Sequence, residues 1–250
     1  MNTRTIIKTP FVQASPEQRL ASDDYAFIDG KALRTQIQCS DREIDAFAEQ
    51  WAQLTLDTYM GDGGTYRYRR YGQFEKTASQ SDLRLLPHEA YQQSKAVNYL
   101  NGDVARLFDP LTDDFVKSPV LYKILTYLAG IYDQVKGRPC DWNIRLHPYR
   151  IKATQEQAGQ PTPEGLHRDG VTFIASMMIR RHNIRGGITT LTDTDRHPIT
   201  SIELSEPLDT IAADDAATLH DVSALHPIDT DEPGIRDVLV IAFTELEANS

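Results

Sequence analysis

The sequence predicts a mainly β protein in which a jelly-roll barrel is flanked by helices. From about Trp142 onward, short apolar or alternating segments are separated by turn residues, whereas earlier segments carry apolar residues at helical spacing. The chain has 250 residues, a length that all-β barrels often reach as one unit. We therefore expect one domain over residues 1–250, with a helix-rich first half and barrel strands mainly within 142–243.

Two helices are predicted in the first half. The segment Ser40–Glu43 has the form of a capping box, and apolar residues recur at helical spacing from Ile44 until Gly61 interrupts the pattern. The second helix is predicted to begin at Ser118-Pro119, because Pro is favoured at the first helical position. It ends where Gly137-Arg138-Pro139 breaks the pattern. Both helices are interpreted as scaffold that packs on a sheet.

Six strands are predicted in the second part of the chain. Turn-forming residues such as Gly186-Gly187 and Glu232-Pro233-Gly234 separate them, and this regular spacing is typical of a barrel. The predicted strands cover residues 144–153, 171–179, 188–192, 202–204, 217–220 and 238–243.

Charge and cysteine content limit the classes of function. The chain carries 26 Lys and Arg against 36 Asp and Glu, which gives a formal net charge of -10. Since phosphate recognition depends on clustered basic residues, this balance argues against nucleic acid and anionic membranes and favours a small-molecule substrate. The two cysteines, Cys39 and Cys140, indicate neither a zinc ribbon nor a disulfide framework. We expect a cytoplasmic protein, because Met1–Pro10 lacks the apolar region of a signal peptide.

The tripeptide His167-Arg168-Asp169 carries the strongest chemical suggestion in the chain. On a strand, side chains two residues apart point to the same face, so this imidazole and carboxylate can bind one ion together. A second His from a later strand completes the facial triad of non-haem Fe(II) oxygenases. Two residues can supply it: His220 follows an apolar pair, whereas His226 precedes a polar turn, and the local pattern favours His220.

Basic residues elsewhere suggest sites for anions. Arg236 leads into the apolar run 238–243, and a guanidinium at the mouth of a barrel matches a carboxylate, so we expect it to anchor a 2-oxo dicarboxylate. The run Tyr66–Tyr71 alternates aromatic and basic residues, which in an acidic chain indicates ion pairs or an anionic substrate group rather than nucleic acid. His147, on a predicted strand, is interpreted as a hydrogen-bonded core residue.

An ordered series of blocks gives the sequence a specific resemblance. The blocks are residues 145–154, 161–170, 186–187, 219–223 and 235–240. Together they resemble the bacterial 2-oxoglutarate/Fe(II)-dependent dioxygenases, a family that includes L-isoleucine 4-hydroxylase, other free amino acid hydroxylases and a biofilm and stress protein. The similarity extends from about Tyr66 to Phe243 and is far more specific than the H-x-D pattern alone.

The resemblance implies a double-stranded β-helix of the cupin type. It also implies an enzyme that uses Fe(II), 2-oxoglutarate and O2 to hydroxylate the side chain of a free L-amino acid or a similar small molecule. Carried over residue by residue, it makes Arg236 the 2-oxoglutarate anchor and gives three iron ligands, His167, Asp169 and His220. The family's distal His usually precedes a Val-Thr-Pro-like tripeptide, whereas Val222-Ser223-Ala224 follows here. This departure keeps His226 as an alternative ligand.

The resemblance also directs attention to substrate-binding residues. A zwitterionic amino acid needs a cation for its carboxylate and an acceptor for its ammonium group, and Arg69, Arg70 and Glu164 are the candidates. The alternative is that Glu164 caps a turn and the arginines pair with surface acids. For the whole chain, the competing hypothesis is a non-catalytic, cupin-like metabolite-binding protein with a role in stress or biofilm regulation. A zinc hydrolase with the same ligands would leave Arg236 without a role.

Overall fold

The computed structural model describes residues 14–79, 82–92 and 105–247, and it confirms the mainly β fold with flanking helices. Met1–Pro10, in which the sequence predicts no signal peptide, lies outside the described residues. The strands are β1 (Tyr25–Ile28), β2 (Thr55–Leu56), β3 (Arg67–Arg69), β4 (Gly72–Lys76), β5 (Leu83–Leu85), β6 (Trp142–Ala153), β7 (Phe173–His182), β8 (Ile184–Gly186), β9 (Ile188–Asp193), β10 (Pro198–Glu203), β11 (Thr210–Asp214), β12 (Thr218–Val222), β13 (Leu225–Pro227) and β14 (Gly234–Glu245).

These strands form the two layers of a jelly roll. The larger sheet has the order β1-β11-β7-β14-β6-β3-β2, and β4 pairs with both β6 and β5. The opposite layer consists of the sheet β10-β9-β12 and the pair β13-β8. Apolar side chains from both layers pack together in one cluster, as Ile174 and Ile211 of the larger sheet do with Leu191 of β9. The space between the layers is therefore partly filled core and partly cavity.

Each of the six predicted strands overlaps an observed one, but the sequence did not predict β8, β11, β13 or the five strands β1–β5 that the structure describes before β6. β11 contains two Ala and an Asp, which are poor β formers, yet it pairs with β1 on one side and β7 on the other. The early strands contain two to five residues each, too few to show an alternating pattern. Long-range pairing, rather than local pattern, defines these elements.

The predicted second helix is confirmed at both ends. It begins with Pro119 after the N-cap Ser118 and ends at Lys136, with Gly137 in the left-handed conformation at φ 68°. One face is buried against the outer side of the larger sheet, where Tyr132 stacks on Phe173 with ring centroids 4.5 Å apart. The helices are α1 (Pro16–Asp23), α2 (Gly30–Gln36), α3 (Asp41–Ala48), α4 (Asp113–Val116) and α5 (Pro119–Lys136). None of those in the described residues has the length and apolar character needed to cross a membrane.

The first predicted helix is shorter than its pattern indicates. The capping box of Ser40 and Glu43 forms as predicted, but α3 ends at Ala48 and a 3-10 segment follows over Glu49–Gln53. Trp51 lies in that segment, fully buried, and its indole N–H contacts the carbonyl oxygens of Tyr149 at 3.0 Å and Val238 at 3.2 Å. The turn thus places an indole donor against β6 and β14, beside the register shift at Asp237/Val238 in the pairing of β14 with β7.

Candidate metal centre

Two histidines and an aspartate meet in the cavity between the two layers. One ligand atom from each of His167, Asp169 and His220 lies within 4.8 Å of the other two. Nε2 of His220 is 3.5 Å from Oδ2 of Asp169, and the two imidazole centroids are 4.3 Å apart. Within 14–79, 82–92 and 105–247, no other group of three possible ligands is found. Two imidazoles and one carboxylate are the donor set of a facial Fe(II) site.

Backbone pairing brings the two histidines together. His220 lies on β12, and its N–H and C=O bond with the C=O and N–H of His167 at 2.8 and 3.0 Å. Asp169 lies on the irregular segment before β7, so the strand alternation used for H-x-D does not explain its direction. His167 is instead held by the bridge to β12, and Asp169 by the hydrogen bond that its backbone N–H donates to Oδ1 of Asp215.

The tautomer of His167 and the neutral state of His220 suit a metal. Nδ1 of His167 donates to Gly165 O at 2.7 Å, which leaves the lone pair on Nε2 for a metal. Burial lowers the pKa of His220 to about 3, with a further contribution from His167 beside it. His220 is therefore neutral at physiological pH, the form in which imidazole binds metals.

A buried carboxylate that is not itself one of the three candidate ligands holds the Asp169 segment. Asp215 follows β11, is 1 % exposed, and accepts hydrogen bonds from the N–H groups of Asp169 at 2.9 Å, Gly170 at 2.6 Å and Val171 at 2.9 Å. Burial raises the pKa of Asp215, and the charge of Asp169 raises it further. The sequence does not indicate this residue, because it is separated from Asp169 by 46 positions and no local pattern marks it.

Arg236 lies in the same cavity on β14 and is 2 % exposed. Its Nε and Nη2 have no hydrogen-bond partner among the described residues, and neither does the buried hydroxyl of Thr189 on β9, which also lines the cavity. Burial lowers the pKa of Arg236 to about 10, with a contribution from Arg181, so the guanidinium stays charged at neutral pH. Buried donors without partners are costly, and a carboxylate would satisfy them. The sequence did contain a signal for Thr189: it lies two residues before the apolar Leu191 on a predicted strand, so the two side chains share the inward face.

The substrate-binding candidates divide into two groups. Arg69 and Glu164 line the cavity. Arg70 does not: it donates to the carbonyl oxygens of Gln53 and Pro110, each at 2.7 Å, outside the cavity wall. The local alternation explains the difference, because Arg67 and Arg69 share the buried face of β3 and Arg70 follows the strand.

The remaining histidines lie away from the metal cluster. His226 is exposed on β13, where it pairs with Arg185 of β8, and it is outside the group of convergent ligand atoms. His147 is buried on β6 and contacts Arg69 through Nδ1, in keeping with its interpretation as a hydrogen-bonded core residue.

Comparison with known proteins identifies similar sequences over most of the chain. A family model described as 2OG-Fe dioxygenase matches residues 48–242. L-isoleucine-4-hydroxylase of Bacillus thuringiensis is 30% identical over 208 residues, which cover 78% of this chain and 83% of the relative. The 3(1)-hydroxy-L-isoleucine 4-dioxygenase of Pantoea ananatis (strain AJ13355) is 26% identical over 240 residues, covering 91% and 94%.

Solved structures with the same fold extend this similarity. A bsmA homologue from Methylobium petroleophilum PM1 has a TM-score of 0.84 at 32% identity, with 94% of each chain covered. The structure of IDO from Bacillus thuringiensis has a TM-score of 0.77 at 21% identity, covering 93% of this chain and 98% of that one. At this lower identity the second comparison concerns the fold alone.

Proposed function

Since this chain belongs to the 2OG-Fe dioxygenase family, we propose that it hydroxylates the side chain of a free L-amino acid with Fe(II), 2-oxoglutarate and O2. Both curated relatives are named for reactions on isoleucine or a hydroxylated isoleucine, which supports an amino acid substrate. The observation that carries the proposal is the convergence of the His167, Asp169 and His220 side chains with Arg236 in one cavity. The single-domain organisation and cytoplasmic location expected from the sequence belong to the same proposal.

The proposed iron ligands are His167, Asp169 and His220. Their fit to Fe(II) is supported by the facial donor set, by the proton on Nδ1 of His167 and by the neutral state of His220. We do not propose His226 as a ligand, because its exposed position on β13 is outside the group.

The proposed role of Arg236 is to bind the distal carboxylate of 2-oxoglutarate. Its unpartnered Nε and Nη2 atoms form one side of a planar guanidinium, which can donate to two carboxylate oxygens at once. The hydroxyl of Thr189 can donate to the same anion. Arg236 thereby orients the co-substrate so that its oxo-acid end faces the proposed ligands.

The residues of the chain bind and orient the reactants. When bound, iron and 2-oxoglutarate supply the oxidation, in which one atom of O2 enters a substrate C–H bond and the other enters succinate, released together with CO2. Apolar side chains line the same cavity as the candidate ligands and Arg236, and they exclude water from the reacting atoms. These include Ile174, Leu191, Ile211, Val238 and Val240.

The proposed substrate site lies on the cavity wall formed by β3 and the segment before His167. Arg69 and Glu164 are the two substrate-binding candidates that line this wall. Arg70 is dropped from this role, because its guanidinium is bonded to two backbone carbonyl groups outside the cavity.

The experiment is a panel of free L-amino acids incubated with the protein, Fe(II), 2-oxoglutarate and O2, with succinate and product mass measured together. We expect at least one amino acid to raise succinate above the uncoupled rate and to gain the mass of one oxygen atom. Asp169→Ala serves as the inactive control, since it removes a proposed ligand. If no amino acid raises succinate, the hydroxylase proposal is wrong and a metabolite-binding role becomes the better account.

A further inference from the structure

Arg69 has an aromatic environment inside the cavity. The residue is 2 % exposed, and its Cζ lies 3.7 Å from the ring centroid of Phe108, 4.6 Å from that of Tyr149 and 5.7 Å from that of Tyr91. Aromatic faces stabilise a guanidinium and restrict its orientation while they exclude water from it. Arg69 is therefore a fixed cation in a dry wall of the substrate cavity.

The nearest carboxylate is already used by another arginine. Oδ2 of Asp57 is 2.8 Å from both Nε and Nη2 of Arg67, and Oδ1 accepts the N–H of Tyr59 at 2.9 Å. Nη1 of Arg69 lies 3.9 Å from the same Oδ2, which is beyond hydrogen-bond distance. Nε of Arg69 has no partner among the described residues. Arg69 thus retains donor capacity and charge that Asp57 does not satisfy.

A neutral histidine fixes the other side of the guanidinium. Nη2 of Arg69 donates to Nδ1 of His147, whose ring stacks on Tyr71 at 4.9 Å and meets Tyr91 edge-on at 4.8 Å. Burial lowers the pKa of His147 well below its usual range, and the nearby Arg69 lowers it further, so the ring accepts the hydrogen bond without adding a charge. Packing on two rings keeps Nδ1 directed at Arg69.

We propose that Arg69 is the anion subsite of the substrate cavity, where it binds the free carboxylate of the substrate, and that His147 is the positioning residue that presents it. The inference rests on the proposed function and deepens it by naming the group that the enzyme requires. Arg67 is less suitable because it is paired with Asp57, and Arg70 lies outside the cavity. The substrate must therefore carry a free carboxylate, and carboxamides or amines with the same carbon skeleton should not bind at this subsite.

The first test compares each amino acid that binds with its carboxamide. L-isoleucine and L-isoleucinamide are suitable probes, because they differ only at the group that Arg69 would bind, where the amide has no charge and one acceptor oxygen fewer. Binding is measured by calorimetry on protein loaded with Mn(II) and 2-oxoglutarate without O2, so that no turnover occurs. We expect the carboxylate to bind and the amide to bind at least about 10-fold more weakly, the loss of one charged hydrogen-bonded contact. Equal binding of the two, or no binding by any carboxylate in the panel, overturns the subsite.

The second test uses matched variants. Arg69→Gln should raise the KM for the amino acid about 10- to 100-fold, with the KM for the co-substrate unchanged. The Asn and Leu side chains of His147→Asn and His147→Leu have nearly the same size, but only Asn offers an acceptor, its amide oxygen, near the position of Nδ1. We expect Leu to raise the amino acid KM with little effect on kcat, and Asn to restore it. A role of His147 in packing alone predicts equal effects of Asn and Leu and contradicts the proposal.

Controls separate this inference from the proposed function. Arg70→Gln removes an arginine one position away and should leave the KM for the amino acid unchanged. If His147→Leu does not fold, Arg69→Gln and the carboxamide comparison still test whether Arg69 binds the substrate carboxylate. Binding of a carboxylate that depends on Arg69, without succinate above the uncoupled rate, would refute the hydroxylase and keep the subsite. If Arg69→Gln leaves the turnover of an amino acid unaffected, the subsite is refuted and the hydroxylase proposal is kept.

Discussion

Replacing Asp215 by Asn tests whether a buried carboxylate prepares the metal site. Its two oxygens accept three backbone N–H groups, from Asp169, Gly170 and Val171. An Asn side chain has one acceptor oxygen and presents an N–H₂ group where the other oxygen was. Whichever way the amide is oriented, at least one backbone N–H loses its acceptor and faces another donor. We expect the segment carrying Asp169 to shift and the metal to bind more weakly.

The magnitude follows from the lost hydrogen bonds. A buried N–H left without an acceptor costs about 1 to 3 kcal/mol. Loss of a hydrogen-bonding partner that orients a metal ligand typically reduces metal affinity about 10- to 100-fold, which corresponds to about 1.4 to 2.7 kcal/mol. The two figures agree, and removing the negative charge of Asp215 acts in the same direction. Asp215→Ala leaves all three donors without a protein acceptor and should also destabilise the fold by about 3 kcal/mol.

The assay is calorimetric titration of Mn(II) into metal-free protein under anaerobic conditions, with thermal unfolding followed in parallel. Asp214→Asn is the matched control. It removes the same charge one position away, from a carboxylate whose Oδ1 accepts only the turn amides of Ala216 and Ala217 among the described residues. Mn(II) affinity should fall in Asp215→Asn and remain unchanged in Asp214→Asn. Equal Mn(II) affinities in the two variants would show that the Asp215 carboxylate does not prepare the metal site.

Three further predictions follow from the same geometry. His220→Ala should abolish Mn(II) binding and turnover, whereas His226→Ala should keep both, as measured by calorimetry and succinate formation; the reverse outcome would make His226 the ligand. Arg236→Gln should raise the KM for the co-substrate about 10- to 100-fold in succinate assays, since charged hydrogen bonds to 2-oxoglutarate are lost, while Mn(II) affinity stays the same. Gly186→Ala should lower the melting temperature strongly, because φ is 86° and the added Cβ would lie 2.0 Å from Ala224 O. Gly130→Ala, with open space around its Cβ, is the control and should melt at or above the wild-type temperature.

Local sequence signals predicted the elements whose ends are defined by local chemistry. Helix α5 begins at Pro119 and ends before Gly137 because Pro at the first helical position and the positive φ of the glycine define its two ends. The end of α3 could not be predicted in this way. Its apolar pattern continues through Trp51, but the chain leaves the helix so that the indole reaches β6 and β14, distant in sequence. Contacts between residues so far apart in sequence do not appear in the local hydrophobic pattern.

The site shows the same division between local and long-range information. The H-x-D pattern, the strand-like context of His220 and the isolated Arg236 were all visible in the sequence, and their side chains line one cavity. The sequence could not distinguish Arg69 from Arg70, because the choice depends on which face of a three-residue strand turns inward. Asp215 was missed because its partners are the backbone amides of a segment 46 residues away, and any residue type supplies such amides.

The central claim, that this chain is a 2-oxoglutarate-dependent amino acid hydroxylase, is tested most directly with isotopically labelled O2. An amino acid from the panel that stimulates succinate formation is incubated with the protein, Fe(II) and 2-oxoglutarate, and both products are analysed by mass spectrometry. We expect label in the new hydroxyl group of the amino acid and label in succinate, with the two products formed in equal amounts. A hydroxyl group without label, or succinate formed without a hydroxylated amino acid for every substrate tested, would contradict it.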